Sequence, residues 1–225
     1  MNIEICCGSI QSAINAKKAG ATRIELCQNL NEGGTTPSYA TIKQCVHDLQ
    51  LDVFVLVRPR PGNFVYNAFE IQNMMEDVRQ CKTLGVAGIV VGFLHDDGSI
   101  DTALTRQFVE LAAPIPVTFH RAFDCCSNWS KSLEEIIDCG CARILTSGCE
   151  PTAMEGKENL RQIIQQAGNR ITILVGSGVR PNNARELIEY TGAKEIHGSC
   201  KITLPDGYDE TDEIQVRALL NHVMR

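Results

Sequence analysis

Two glutamates set inside apolar runs are the first residues in this chain with chemistry to explain: Glu4 in Ile3-Glu4-Ile5 and Glu25 in Ile24-Glu25-Leu26. A carboxylate is rarely buried without a partner. Arg58, Arg60 and Arg121 are the cations available to neutralise them. Two carboxylates held close together push each other's pKa values apart, an arrangement that acid–base catalysis uses. The same pair serves equally well in an ion-pair network plugging a polar interior. A second group is His120-Arg121 with Asp124. Imidazole moves protons near neutral pH, guanidinium offers a fork for a carboxylate or phosphate, and the aspartate can orient either one. A buried hydrogen-bonded network is again the alternative. His197 either points into a site or covers the floor beneath it.

Glycine-bearing turns form a third group. Gly176-Ser177-Gly178-Val179-Arg180 leads into Pro181-Asn182-Asn183, and Thr146-Ser147-Gly148 and His197-Gly198-Ser199 close two other apolar runs. Bare backbone N–H groups at Gly176 and Gly178, with Arg180, Ser147 and Ser199, can cradle a phosphate or carboxylate. Glycine also serves simply to shape tight turns. The chain has 11 cysteines, scattered and mostly inside apolar runs, without a CxxC pair or zinc-site spacing. Free buried thiols are the expected state. Cys6 and Cys7 are adjacent on an extended run, so their side chains point to opposite faces and cannot jointly grip one ion. Cys7 and Cys27 end neighbouring runs, which leaves a two-thiolate soft-metal site open, of a chemical type that suits monovalent copper. Asp96-Asp97-Gly98 reads as an ordinary turn rather than a calcium loop.

The elements that must position these groups alternate from end to end. Short β-rich runs fall at 2–7, 23–27, 52–58, 88–93, 116–120, 142–147, 171–176 and 195–199, with helical patterns at 10–19, 39–49, 68–84, 102–112, 129–139, 158–167 and 182–190. Ser9, Ser38 and Asp101 stand where helix caps belong, and glycines such as Gly20 and Gly85 follow helix ends. Successive runs begin about 20 to 35 residues apart, enough for a strand and its crossover helix but too little for an inserted domain. Eight such units make a compact (β/α)8 TIM barrel as one domain: barrel over 1–200, then a polar loop over 201–212 and a helix over 213–224 that closes the barrel or meets a neighbouring subunit. A doubly wound open sheet is the runner-up, but the turn after the first run lacks a GxGxxG pattern. In a barrel, the ends of the strands share one rim, and the groups above would meet there.

Composition narrows the classes further. Across 225 residues, 21 Lys+Arg against 27 Asp+Glu give a net charge of −6, and 44% of residues are hydrophobic. That balance suits a globular chain and argues against nucleic acid or an anionic membrane as a partner. No apolar window suits a membrane span and the start lacks a secretion leader, so the expected compartment is the cytoplasm.

Several strings together resemble the CutC copper-homeostasis family: Glu4-Ile5-Cys6, Arg23-Ile24-Glu25-Leu26-Cys27, Glu32-Gly33-Gly34-Thr35-Thr36-Pro37-Ser38, Arg58-Pro59-Arg60, Thr118-Phe119-His120-Arg121-Ala122-Phe123-Asp124 and Leu145-Thr146-Ser147-Gly148. The resemblance runs from the first strand through Ser199. It implies a (β/α)8 barrel, a cytosolic role in copper tolerance or trafficking, monovalent copper on thiols matching Cys6 and Cys27, and a homodimer. Cys125, Cys126, Cys141, Cys149 and Cys200 do not follow a family ligand pattern. Two functions are therefore expected in competition. One is copper binding. The other is an enzyme on a small anionic or phosphorylated metabolite: Arg58, Arg60 or Arg121 holds the anion, while His120 or one of Glu4, Glu25 and Asp124 moves the proton.

Overall fold

A computed structural model describes residues 1–224; Arg225 lies outside the described residues. Eight parallel strands alternate with helices: β1 (Asn2–Cys7), α1 (Ile10–Ala19), β2 (Arg23–Leu26), α2 (Tyr39–Lys43), β3 (Asp52–Leu56), α3 (Ala68–Leu84), β4 (Gly88–Val91) and α4 (Thr102–Ala112). The second half continues with β5 (Val117–Phe119), α5 (Trp129–Asp138), β6 (Arg143–Thr146), α6 (Lys157–Ala167), β7 (Thr172–Val175), α7 (Ala184–Thr191) and β8 (Glu195–Gly198). β8 pairs back onto β1, with Glu4 opposite His197, so the sheet closes into the expected (β/α)8 barrel.

Local chemistry explains the helix starts. The hydroxyls of Ser9 and Ser38 accept the backbone N–H groups of Ser12 and Thr41, and the Asp101 carboxylate accepts that of Leu104. Asn67 and Glu70 complete a reciprocal capping box on α3. Gly20 and Gly85 end α1 and α3 in the left-handed conformation that a side chain would strain.

Three elements depart from expectation. Strands β2 to β8 stop one or two residues short of their expected ends, which puts Cys27, Arg58, His120, Ser147, Gly176 and Ser199 just past the strands at the rim. The second helix loosens after α2 into a wider turn over Gln44–Asp48, with Leu49 N–H donating to the Gln44 carbonyl. The polar 201–212 segment is a hairpin, β9 (Lys201–Thr203) against β10 (Asp209–Thr211), rather than a loop. It is tied to β1, since the Thr211 hydroxyl donates to the Cys6 carbonyl. The last helix, α8 (Glu213–Met224), closes the chain and shares contacts with α1 and α7.

Strand alternation sorts side chains between two environments. Ile3, Ile5, Cys7, Ile24, Val53 and Val55 face outward into the large apolar core beneath the helices. Cys6, Cys27, Phe54, Leu56 and Val90 face inward as a small separate cluster. The polar inward positions continue this inner face, and at its lower end the Phe54 ring has Arg23 and Arg143 within 5.3 and 5.0 Å of its centroid. The Glu195 carboxylate accepts from both guanidiniums, at 2.5 and 3.0 Å, and from the Asn2 amide at 2.9 Å.

Candidate functional site

Above that lower layer the interior opens into a cavity of about 260 Å³ at the C-terminal rim of the strands. Its deepest groups are Cys6, Glu25 and His197, contributed by β1, β2 and β8. His197 Nδ1 lies 2.9 Å from Glu4 Oε1, and its Nε2 lies 3.7 Å from Glu25 Oε2. The Cys6 thiol donates to Glu25 Oε2 at 3.3 Å, and its sulfur sits 4.0 Å from that of Cys27. Arg23 Nε stands 3.2 Å from Glu4 Oε2, linking this set to the ion pairs below.

Electrostatics follow from that crowding. Burial disfavours a charged His197, but the carboxylates of Glu25 and Glu4 outweigh it and hold the imidazole pKa above its ordinary value. Burial raises Glu25, against the pull of the same imidazole. The Cys6 thiol is pushed well up, first by its contact with Cys27 and then by burial. The donor atoms of Cys6, Glu25 and His197 all lie within 4.8 Å of one another, a set able to hold a metal ion. The Cys27 sulfur stands beside this set as a second thiol.

The wall carries Arg58, Phe64, His120 and Arg121, with Ser177, Gly178, Ser199 and Lys201 on the opposite rim. His120 Nδ1 accepts the Ala122 N–H at 3.1 Å, which caps the short helical turn Arg121–Cys125. Gly92 makes this possible: a Cβ there would fall 2.4 Å from Nδ1. Burial and the Arg58 charge push the His120 imidazole down to about 3, so it is neutral at physiological pH. Its Nε2 has no partner. Arg58 is 4% exposed and donates to the carbonyls of Glu32, Gly34 and Gly62. Among the described residues no carboxylate pairs with it.

The remaining expected residues fall into supporting or distant places. Asp124 stands behind the wall rather than in it: its carboxylate accepts from Arg121 Nε, the Thr146 and Ser147 hydroxyls, and the Ser147 and Cys149 N–H groups. Ser147 also accepts from Arg121 Nη2 at 3.0 Å, so both residues hold Arg121 in position. Gly176 does not line the cavity; its missing side chain makes room for Leu145 and His197. Arg60 is turned away, ion-paired to Glu70 at 2.6 Å and lying over the Tyr66 ring. Arg180 is exposed and absent from the lining, as its backbone turns outward to be capped by Asn183. Glu4 is one layer below the cavity floor. Cys7 faces the outer core, where burial raises its thiol, so the thiol pair at the rim is Cys6 with Cys27 rather than Cys7 with Cys27.

Sequence reasoning missed Phe64 and Lys201 in the lining, and the Arg23–Glu195–Arg143 layer below it. Arg23, Arg143 and Glu195 are the first residues of β2, β6 and β8, where a charge reads as the edge of a strand rather than as a group set inside an apolar run. Phe64 comes from a loop and Lys201 from the first residue of β9, and no local pattern marks either.

The model of the CutC family matches residues 1–202. A CutC family protein from Chromobacterium violaceum is 45% identical over 199 residues, covering 88% of this chain and 81% of its own. The human copper homeostasis protein cutC homolog is 42% identical over 205 residues, covering 91% and 75%. A solved CutC structure from Streptococcus agalactiae superposes with a TM-score of 0.84 at 35% identity, over 88% of this chain and 98% of that one. No helix among the described residues is long and apolar enough to cross a membrane. On matches that span nearly the whole barrel, the chain belongs to the CutC family.

Proposed function

We propose that the barrel mouth binds a small anionic metabolite and that the Glu25–His197 pair, backed by Glu4, moves a proton on it. The observation carrying this reading is that one cavity joins an unneutralised buried cation, Arg58, to a floor of titratable groups with shifted pKa values. Such groups cost desolvation energy that the fold does not return, and they concentrate where chemistry is done. Arg58 attracts and orients the anion; Glu25 and His197 exchange a proton with a carbon or oxygen brought to the floor. The experiment is incubation in D2O with a panel of small hydroxy and oxo acids and their phosphates, read by NMR. Deuterium appearing at one carbon, and vanishing in Glu25→Gln, supports the reading. An inert panel overturns it.

A second reading rests on a separate observation, the 4.0 Å approach of the Cys6 and Cys27 sulfurs beside His197. In it the chain is a cytoplasmic copper-homeostasis protein whose two thiols, with imidazole as third donor, hold monovalent copper, in keeping with the name of the human relative. Thiolate is the form that binds, and the contact with Cys27 and burial both oppose deprotonation of Cys6, so affinity falls with falling pH. Anaerobic copper titration decides: tight binding lost in Cys6→Ala and in Cys27→Ala supports it, and weak or unchanged binding sinks it. In either reading the subunit pairs with a second copy, which sedimentation would reveal.

A further inference from the structure

Resting on the reading of the mouth as a ligand site, the geometry points to a carboxylate monoanion, rather than a phosphate, as the group bound between Arg58 and His120. Both residues flank one ring: the Arg58 guanidinium carbon lies 5.0 Å and the His120 ring centroid 4.8 Å from the centroid of Phe64. They are 4% and 6% exposed, and both line the cavity. His120 Nε2 is buried without a hydrogen-bond partner. The desolvation of that nitrogen is left without a compensating hydrogen bond, and a ligand oxygen is what would relieve it.

The charge available at this spot follows from hydrogen-bond geometry. Nδ1 of His120 accepts the Ala122 N–H, so it must keep its lone pair. A charged imidazolium would carry a proton there and set two N–H groups against each other. His120 is thereby held as the neutral Nε2–H tautomer and offers one donor and no charge. Arg58 supplies one positive charge, and three of the five N–H bonds of its guanidinium go to the carbonyls of Glu32, Gly34 and Gly62. The Tyr66 hydroxyl beside it is neutral.

The other cations at the mouth are already spent. Arg121 is paired with Asp124 at 2.7 Å, Lys201 with Asp209 at 2.6 Å and, on the floor, His197 with Glu4 at 2.9 Å. The site therefore presents a single uncompensated charge and one neutral donor in a mostly buried setting. A carboxylate matches that count. A phosphate dianion would bring a second negative charge into the same setting with no cation free to meet it.

The test uses the unmodified protein first. Lactate and pyruvate serve as three-carbon carboxylate probes, lactamide as the uncharged match, and glycerol 3-phosphate as the phosphate match, with dissociation constants from ligand-observed NMR. The expected result is carboxylate binding at least tenfold tighter than lactamide, about 1.4 kcal/mol, and tighter than glycerol 3-phosphate. The His120 nitrogen shifts should show the neutral Nε2–H tautomer, with Nε2 moving when lactate binds. His120→Gln, which keeps an N–H donor, should hold lactate within about threefold, and His120→Leu should weaken it about tenfold. Lactamide binding as well as lactate, glycerol 3-phosphate binding best, or no carboxylate bound at about 10 mM each overturns the proposal. Glu25→Gln separates it from the proton-transfer reading. Lactate binding retained in that variant, with no deuterium exchange in the parent protein, removes that reading alone; exchange on a phosphate that binds best removes this one alone.

Discussion

The two ends of the barrel interior use the same residue types and leave them in opposite states. At the lower end Arg23 and Arg143 share Glu195, with Phe54 beside both guanidiniums and the Asn2 amide on the remaining carboxylate oxygen. At the mouth Arg58 has carbonyls but no carboxylate, and His120 keeps an unpartnered nitrogen. The lower set is neutralised by the chain itself and works as structure. The upper set has no counter-charge from the chain, and the proposed carboxylate site rests on that difference.

The largest effect that would break this contrast lies at the bottom. Glu195→Ala leaves two guanidiniums inside the barrel without their counter-charge and should cost about 3–5 kcal/mol of unfolding free energy in a urea titration, while any protein that stays folded keeps its lactate affinity. A loss below about 1 kcal/mol would mean that the lower layer is not the structural one. Next comes the brace behind the wall. Asp124→Ala removes the acceptor for Arg121, Thr146, Ser147 and Cys149, so it should destabilise by about 2–3 kcal/mol and free the Arg121 charge, narrowing the margin of lactate over glycerol 3-phosphate.

A third effect sharpens the mouth. His120 titrates near its ordinary value of 6.5 when unfolded but only at about 3 when folded. Between those pH values the unfolded chain holds the extra proton, so stability is complete above pH 6.5 and falls on acidification, by about 1.4 kcal/mol per pH unit from this group. His120→Gln should remove that portion of the slope in unfolding titrations from pH 4 to 7; an unchanged slope would show that the imidazole is not held neutral. The smallest effect belongs to Arg60. Its pair with Glu70 is partly exposed, so Arg60→Ala should cost under about 1 kcal/mol and leave carboxylate affinity unaltered, in contrast to the response expected at His120.

Much of the fold was legible in the chain. The helices expected at 10–19, 68–84, 102–112 and 213–224 coincide with α1, α3, α4 and α8, because caps and apolar spacing are local signals. The hairpin over 201–212 was not, since its strands are short, polar and stabilised by contacts with β1 and α1. At the site, Glu25, Arg58, His120, Arg121, His197 and Ser199 line one cavity. Arg60 and Arg180 do not. Each sits on a rim segment next to a lining residue, and the direction a loop side chain takes depends on partners such as Glu70 that no local pattern reveals.

By itself the sequence determined the eight repeating units and the burial of charged groups within them, because hydrophobic period and capping act over a few residues. Alternation along β1 also decided that Glu4 and Cys6 share the face opposite Cys7. Only the tertiary structure decided which of those groups touch. His197 reaches Glu4 across 193 residues of chain because β8 closes onto β1 in one register, and a shift of one residue would turn the imidazole out of the barrel.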